Sequence, residues 1–436
     1  EKMLAGIASI EKEVGGKAVL DGDLVEENLF LVEYPVPFYG SFDRSFLQIP
    51  EEVLITTMKN HQRYFPVRDD SGNLKPCFIG VSNNRAANMS VVREGNERVL
   101  RARLSDASFF WEEDQKVPLS ARVDSLKKIV HHDKLGTVYE KVSQVRELCG
   151  VLCRMMDLSS EEVKMVDRAA FLAKADSVTD MVYEFPELRG VMGREYAARD
   201  GENPRVALAL LEQYLPSSSG DRVPSDIIGA ILGVCDRIDT IIGGFKAGLQ
   251  PTGSQDQYGI RRASRTLNEI LWGMDLDVNI ASLVEASSLS RGLSKDQKGA
   301  ASGFILQRLH NQLREKGFSH ELTTLAVSAV GSRPNQALKL LEAFQEVQGT
   351  DWFAGLVTSA VRVRNILQKT DHSARTLDAS LFTEAAEREL HEAVELLSPR
   401  VDEAVRAWDW NGLTLVLSKL EPYISAFFDK VLVMDN

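Results

Sequence analysis

Residues 142–156 read VSQVRELCGVLCRMM, and this stretch decides how most of the chain is interpreted. Its apolar residues fall on one face of a helix, because they recur three or four positions apart. They are Val142, Val145, Leu148, Cys149, Leu152, Met155 and Met156. Strand signals nearly vanish after Pro118, so the sequence predicts that the chain beyond it is almost entirely helical.

Helix boundaries can be placed within this part of the sequence. Ser159 with Glu162, and Ser294 with Gln297, are capping boxes that predict helix starts. Leu413, Leu417 and Phe428 belong to the apolar stripe of a final helix. Surface loops are predicted at 216–221 and 243–259, with weaker breaks at 331–334 and 349–351.

The first part of the chain has a different pattern. Runs at 29–33, 45–49 and 77–82 are typical of strands, and the turn at 69–73 between two such runs predicts a hairpin. This part is therefore expected to be α/β or α+β.

Composition limits the class of protein. The 436 residues correspond to about three domains at roughly 150 residues each. The formal charge of −12 means that nucleic acid can be bound only through local basic patches. The 4 cysteines are too few for a disulfide framework, which favours a cytoplasmic location, and no apolar run reaches membrane-spanning length. Glu1 is not an initiator Met, so we expect the sequence to begin inside a longer reading frame.

No self-contained active site is visible in the sequence. Phosphate-binding loops, dinucleotide fingerprints and assignable nucleophiles are all missing. His131-His132-Asp133 contains the His-Asp pair of metal phosphohydrolases of the HD type, but His61 is the only other upstream His. A surface or helix-end position explains the pair better than a metal site does. Cys149 and Cys153 would supply only two metal ligands, and core packing explains them better.

Three basic clusters are candidates for RNA contact. The segment 93–103 holds four Arg against two Glu, and the segment 243–265 leads from a glycine-rich stretch into a helix start. Phosphate contact is one interpretation of these residues, and solvent-exposed or ion-paired side chains are the other. The third cluster lies on one face of a helix near 362–369 and suits unstacked bases. The candidates are Arg98, Arg101, Arg103, Lys246, Arg261, Arg262, Arg362, Asn365 and Lys369.

Ordered sequence strings over nearly the whole chain resemble the β subunit of bacterial heterotetrameric glycyl-tRNA synthetase. They lie at 31–35, 57–65, 95–107, 134–137, 184–193, 251–254, 261–263 and 427–431.

The resemblance implies a multidomain, mainly α protein with four parts. These are an α/β module of the B3/B4 type (1–118), an HD-like helical domain (119–275), a helical linker or body (276–350) and a truncated anticodon-binding helical bundle (351–436). Arg362, Asn365 and Lys369 would then contact the anticodon.

It also implies a tRNA(Gly)-binding subunit without catalytic or metal-binding residues of its own. A separate α subunit would use ATP and Mg²⁺ to attach glycine, in an α2β2 heterotetramer in the cytoplasm. In the HD-like domain, Lys174 and Asp176 would stand where the His-Asp pair belongs, with Asp236 or Asp239 near the late Asp. An ammonium has no lone pair, so metal binding there is expected to be lost. The alternative function is an HD-type, metal-dependent phosphohydrolase acting on nucleotides or RNA.

Overall fold

The computed structural model describes residues 1–250, 256, 258–367 and 377–431 of the chain. By its contacts the chain divides into two compact units, Glu1–Asp239 and Thr240–Asn436. Helices predominate, and a small antiparallel sheet lies near the N-terminus. The prediction of a multidomain, mainly helical protein is therefore confirmed, while the four boundaries named above remain predictions.

The first unit opens with a four-stranded antiparallel sheet and its flanking helices. The strand order is β1-β3-β4-β2. The elements are α1 (Lys2–Val14), β1 (Lys17–Ala18), α2 (Gly22–Leu31), β2 (Val36–Ser41), α3 (Glu51–Thr56), β3 (Phe65–Arg68) and β4 (Leu74–Ser82).

The predicted hairpin is confirmed as the pair β3 and β4, in which Phe65 lies opposite Ile79. The Asp69 carboxylate closes its turn by accepting hydrogen bonds from the backbone N–H groups of Ser71 and Asn73, each at 2.9 Å. One face of the sheet packs on α1, whose Ile7 is buried against β3 and β4. This packing supplies the core of the N-terminal part.

Two predicted strands are wrong. Residues 29–31 are the last residues of α2. This helix starts at Asp21, whose carboxylate accepts hydrogen bonds from the backbone N–H groups of Asp23 and Leu24. Residues 44–48 form a 3₁₀ turn that Asp43 begins in the same way. In both places a single capping carboxylate outweighs the strand preference of the apolar residues that follow.

The strand β2 was not predicted, because Pro37 and Gly40 interrupt its pattern. It lies at the edge of the sheet, where a proline without an N–H group is tolerated. Phe38 lies opposite Gly80 and Gly40 lies opposite Phe78, so each ring covers a glycine of the other strand. A Cβ atom on Gly80 would come within 2.6 Å of the Phe38 ring.

A long helix, α4 (Met89–Asp114), follows the sheet. Its buried stripe runs through Leu100, Leu104 and Trp111 to Asp114. Asp114 accepts hydrogen bonds from the N–H groups of Asp180 and Met181 at 3.0 and 2.9 Å. It also accepts one from the Tyr196 hydroxyl at 2.9 Å and lies 3.2 Å from Arg122 Nη2. One buried carboxylate thus ties the end of α4 to the helices that follow.

The helices that follow, with a short hairpin among them, complete the first unit, and the last of them continues into the second unit. They are α5 (Leu119–Arg122), β5 (Val130–His132), β6 (Gly136–Thr137), α6 (Val138–Met155), α7 (Ser160–Leu172), α8 (Asp180–Glu184), α9 (Val191–Arg199), α10 (Pro204–Glu212) and α11 (Ile227–Ala247). Val142, Val145, Leu148, Cys149 and Leu152 of the α6 stripe are buried as predicted, but Met155 is exposed and Met156 caps the end of the helix. The capping box at Ser159 and Glu162 is confirmed. The hairpin of β5 and β6 departs from the prediction that the chain after Pro118 is almost entirely helical.

The second unit is built from helices, several of which share a core. They are α12 (Ile260–Gly273), α13 (Ile280–Arg291), α14 (Lys295–Glu315), α15 (His320–Val330), α16 (Pro334–Val347), α17 (Asp351–Leu367), α18 (Ala385–Arg406) and α19 (Trp410–Lys430). Leu309, Leu341, Phe344 and Trp410 lie in the core. Both predicted breaks and the capping box at Ser294 are confirmed.

The predicted loop at 216–221 lies between helices, but the one at 243–259 is wrong at its start. α11 continues to Ala247, and a Cβ atom on Gly244 would collide with the Ile260 side chain. The glycine here serves close helix packing and not a turn. Residues 251–255 and 257 lie outside the described part of the chain.

A membrane-spanning helix is absent from the part of the chain that the structure describes.

We expect Gly80→Ala to lower the free energy of unfolding by about 1–3 kcal/mol, because the added methyl group overpacks the Phe38 ring. Urea-induced unfolding followed by circular dichroism measures it. Gly95→Ala in α4 is the matched control, since its Cβ would meet no atom within 4 Å. It should be neutral or stabilise by about 0.5–1 kcal/mol. Equal losses in both variants would contradict the packing argument.

Candidate nucleic-acid interface

The three predicted arginines of α4 are all exposed, whereas Leu100 and Leu104 are buried. By helical spacing Arg98 and Arg101 share one face, and Arg103 lies on the other side of the buried stripe. Arg103 Nη1 lies 3.8 Å from Glu184 Oε1, and each side chain is nearly half exposed. This helix therefore presents cations to solvent in an otherwise acidic protein.

Two acidic residues near these arginines, Glu97 and Asp43, accept hydrogen bonds from serines. Glu97 accepts hydrogen bonds from the Ser41 backbone N–H at 2.7 Å and from its hydroxyl at 3.1 Å. Asp43 receives hydrogen bonds from Ser45, which lower the pKa of its carboxyl, and Arg101 adds a smaller electrostatic contribution. The Arg101 cation is thus close to one exposed carboxylate.

In the second unit the predicted cluster is only partly available to a ligand. The Asp256 carboxylate accepts hydrogen bonds from the N–H groups of Arg261 and Arg262, each at 3.0 Å. The predicted cradle of backbone N–H groups at this helix start is therefore already occupied by a side chain of the same protein. The Arg262 side chain is exposed and the Arg261 side chain is half-buried.

Lys246 lies at the end of α11, where the packing of Gly244 on Ile260 brings that end close to the start of α12. Its Nζ donates to the Gly292 carbonyl at 2.6 Å, which caps the end of α13. The side chain is exposed. An ammonium has three donors, so this hydrogen bond is compatible with an anion contact.

In α17, Arg362 and Asn365 are both exposed, as the helical spacing predicts. The Arg362 guanidinium lies 5.7 Å from the centre of the Phe428 ring in α19. Lys369, the third residue of this predicted face, lies outside the described residues. The structure leaves the contacts predicted for all these residues untested.

A second feature of the first unit is a buried group of lysines and aspartates. Lys141 Nζ in α6 lies 3.1 Å from Asp236 Oδ1 and 3.0 Å from Asp239 Oδ2 in α11. Lys174 Nζ lies 3.5 Å from the other oxygen of Asp236 and 4.0 Å from the centre of the Tyr214 ring. We call these four charged residues the lysine–aspartate centre.

The pKa values of the two lysines in this centre are shifted in opposite directions. Burial alone would lower the pKa of Lys141, but Asp236 and Asp239 outweigh it and raise that pKa. Burial dominates at Lys174 and lowers its pKa to about 8 despite Asp236. Burial would raise the pKa of Asp236, but Lys141, Lys174 and Arg237 hold it well below its usual range. Lys141 is thus the well-paired cation, and Lys174 is the one that burial disfavours.

Asp176 supports the backbone beside this centre. Its Oδ2 accepts the Gly190 N–H at 2.6 Å, and Gly190 has a positive φ of 85°. A Cβ atom there would lie 2.6 Å from the Tyr214 ring, so only glycine fits. Burial raises the pKa of the Asp176 carboxyl. This residue positions the 184–193 segment through the hydrogen bond.

The remaining candidates for metal binding are dispersed. His132 accepts a hydrogen bond from the Lys134 N–H at 3.1 Å in the exposed hairpin, whereas His61 stacks on Phe185 with ring centres 5.1 Å apart. Cys149 and Cys153 are buried in α6, and burial raises the pKa of the Cys153 thiol to about 11. Within the described ranges, no three His, Cys, Asp or Glu residues form a group that could hold a metal ion.

Sequence reasoning missed the roles of Asp114 and Lys141. Each is a charged residue on an otherwise apolar helix stripe, Asp114 after Trp111 and Lys141 before Val142. A charge at such a position requires a buried partner. That requirement is the signal that could have identified both residues.

The comparisons with known proteins point to one class, the subunits of aminoacyl-tRNA ligases. A family profile described as glycyl-tRNA synthetase beta subunit matches residues 1–329. The glycine–tRNA ligase beta subunit of Syntrophotalea carbinolica is 40% identical over 98% of this chain and 62% of its own length. Those of a Geobacter species and of Halothermothrix orenii are 41% and 39% identical, each over 100% of this chain and 63% of the relative.

This chain belongs to the glycyl-tRNA synthetase beta-subunit family. It spans 62–63% of the length of these curated relatives.

We expect Lys141→Met to destabilise the first unit by about 3–5 kcal/mol, because it leaves buried carboxylates without their best counter-charge. Lys174→Met is the matched control. It removes a cation whose burial is unfavourable, and Lys141 still pairs with Asp236, so stability should change by less than about 1 kcal/mol or rise. Urea unfolding at pH 7 compares them, and equal losses would contradict the assignment of Lys141 as the main cation.

Stability should depend on pH through Lys174. Its pKa is about 8 in the folded chain and 10.5 in the reference state, so the unfolded chain binds more protons between these values. The free energy of unfolding should therefore rise with pH across this window, relative to Lys174→Met, by an amount on the order of 3 kcal/mol. Urea unfolding at pH 7.5 and 10 tests this. A difference between the two proteins that does not change with pH would refute it.

Proposed function

We propose that this chain is the tRNA-binding subunit of glycine–tRNA ligase and recognises tRNA(Gly) for a separate glycine-activating α subunit. The observation that carries the proposal is the 40% identity to a glycine–tRNA ligase beta subunit over 98% of this chain. Family membership implies that the chain works as part of a ligase. That it binds tRNA(Gly) and works with a separate α subunit is what we propose.

The distribution of charge supports RNA binding through local surfaces. With a formal charge of −12, the protein as a whole repels a polyanion. The exposed arginines of α4, the exposed Arg262 and the exposed Arg362 are the places where a phosphate backbone can be accepted. In this proposal Arg98, Arg101, Arg103, Lys246, Arg261 and Arg262 contact phosphates, and Arg362, Asn365 and Lys369 contact the anticodon.

The chemistry of aminoacylation is proposed to lie outside this chain. Its sequence has no phosphate-binding loop, so ATP and Mg²⁺ are assigned to the α subunit in an α2β2 assembly in the cytoplasm. We assign 1–118 to a B3/B4-like module, 119–275 to an HD-like scaffold, 276–350 to a linker or body and 351–436 to an anticodon-binding bundle.

The phosphohydrolase alternative gains no support from the geometry. The Lys174 ammonium faces Asp236, which with Asp239 is one of the two candidates for the late aspartate of an HD-type metal site. Lys141 occupies the other oxygen of the same carboxylate. Both cations would have to leave before a metal ion could bind.

Binding of tRNA(Gly) by the chain should weaken steeply with salt. If three to six of the proposed cations neutralise phosphates, the logarithm of the affinity falls with the logarithm of salt concentration at a slope of about −2 to −5. Fluorescence anisotropy of labelled tRNA(Gly) between 50 and 300 mM KCl, roughly the range in which such contacts dominate, measures it. A slope near zero would contradict phosphate-led binding.

Reversing the charge of one cluster should weaken tRNA binding without affecting glycine activation. Arg261→Glu with Arg262→Glu is expected to cost about 1–3 kcal/mol of binding free energy. Glycyl-adenylate formation by the α subunit alone stays unchanged. Arg222→Glu, an exposed arginine outside the three clusters, is the control for charge reversal and should have a smaller effect. Unaltered tRNA affinity in the double variant would remove this cluster from the interface.

A further inference from the structure

Tyr183 in α8 is an aromatic side chain that the fold holds out in solvent. It is 84% exposed, whereas the flanking Met181 and Val182 are buried. Large aromatic rings usually lie in the core, so an exposed one on an ordered segment suggests a recognition role.

The backbone that carries this ring is held at both ends. At the start of α8, Asp180 and Met181 donate their N–H groups to the Asp114 carboxylate at 3.0 and 2.9 Å. At its end, Phe185 is buried and stacks on His61. The backbone that carries the ring is thus already ordered, so ligand binding would cost little further backbone entropy.

One arginine lies close to the residue that follows Tyr183. Glu184 Oε1 is 3.8 Å from Arg103 Nη1. That distance exceeds a normal hydrogen bond, and both side chains are nearly half exposed, so a phosphate could share this guanidinium.

Phe30 at the end of α2 is a second exposed aromatic residue, at 80%. Exposed acids lie near both rings in the sequence, Asp180, Glu184 and Glu187 for Tyr183 and Glu26, Glu27 and Glu33 for Phe30. The arginines differ, because Arg63 Nε lies 2.6 Å from Glu27 Oε1, whereas Arg103 Nη1 lies 3.8 Å from Glu184 Oε1. A phosphate would therefore find a loosely held guanidinium near Tyr183 and a closely paired one near Phe30.

We propose that Tyr183 is a stacking platform for an unpaired base of the bound RNA, with Arg103 contacting the adjoining phosphate. This inference rests on the proposed function and deepens it, because it names the part of the RNA that the surface takes. Aromatic rings bind single-stranded bases by stacking, which needs the π-face of the ring and not its hydroxyl group.

The test compares variants of the intact chain in binding labelled tRNA(Gly). Tyr183→Ala and Tyr183→Leu should raise the Kd by about 5- to 150-fold, because both remove the ring. Tyr183→Phe and Tyr183→Trp should stay within about threefold of the unmutated protein, since they keep a π-face. Phe30→Ala is the control and should leave the Kd unchanged. All five variants should unfold like the unmutated chain, since both positions are exposed.

A blunt RNA duplex serves as the second probe. It has no unpaired base, so Tyr183→Ala should not change its Kd, while Arg103→Ala should weaken binding of both RNAs. Equal effects of Tyr183→Ala on both probes would overturn the stacking proposal.

Other outcomes separate the two proposals. If the unmutated chain binds no tRNA, both the proposed function and this inference fail. If it binds tRNA(Gly) and Tyr183→Ala leaves the Kd unchanged, the inference alone fails. Loss of α-subunit binding with unchanged tRNA affinity would make Tyr183 a protein contact and would also overturn it.

Discussion

The pairing of the buried Lys141 ammonium with two carboxylates is the interaction on which the helical part of the first unit depends. Lys141 Nζ of α6 lies 3.1 Å from Asp236 Oδ1 and 3.0 Å from Asp239 Oδ2 of α11. Lys174, which follows α7, lies near the other oxygen of Asp236, but burial disfavours its charge. Burying the two carboxylates without Lys141 would be costly, so α6 and α11 stabilise each other when they are assembled.

Under the proposed function, an acidic protein that binds a polyanion must keep its attractive surfaces apart from its general charge. The candidate cations lie on exposed helix surfaces: the α4 arginines are exposed while Leu100 and Leu104 are buried, and Arg362 and Asn365 are exposed on α17. At the start of α12 the backbone N–H groups are already bound by Asp256. In this proposal, recognition in the second unit would therefore fall to side chains, which reach further from the surface than the backbone does.

The sequence predicted the structural features that depend on residues close together in the chain. It did not predict the contacts between residues that are far apart in the chain. The α6 stripe and the capping boxes at Ser159 and Ser294 involve partners within four positions, so spacing alone identified them. The run at 29–33 has strand-like composition, but its first three residues belong to the helix that begins at Asp21. Lys141 meets Asp239 from 98 positions away, and no local pattern encodes that pairing. The candidate cations could be chosen from their clustering, whereas Tyr183 emerged only from its exposure in the folded chain.

The two ends of α4 are fastened differently, and this has a mechanical consequence. Near its first third, Asn96 receives the Tyr64 hydroxyl and Glu97 receives Ser41, both from the sheet region. Its last residue, Asp114, is embedded in four contacts with helices that follow. At about 1.5 Å per residue its 26 residues span about 39 Å. The helix is therefore a rigid connection between the sheet and α8. A displacement at its arginines would be transmitted to the sheet in one direction and to α8 in the other.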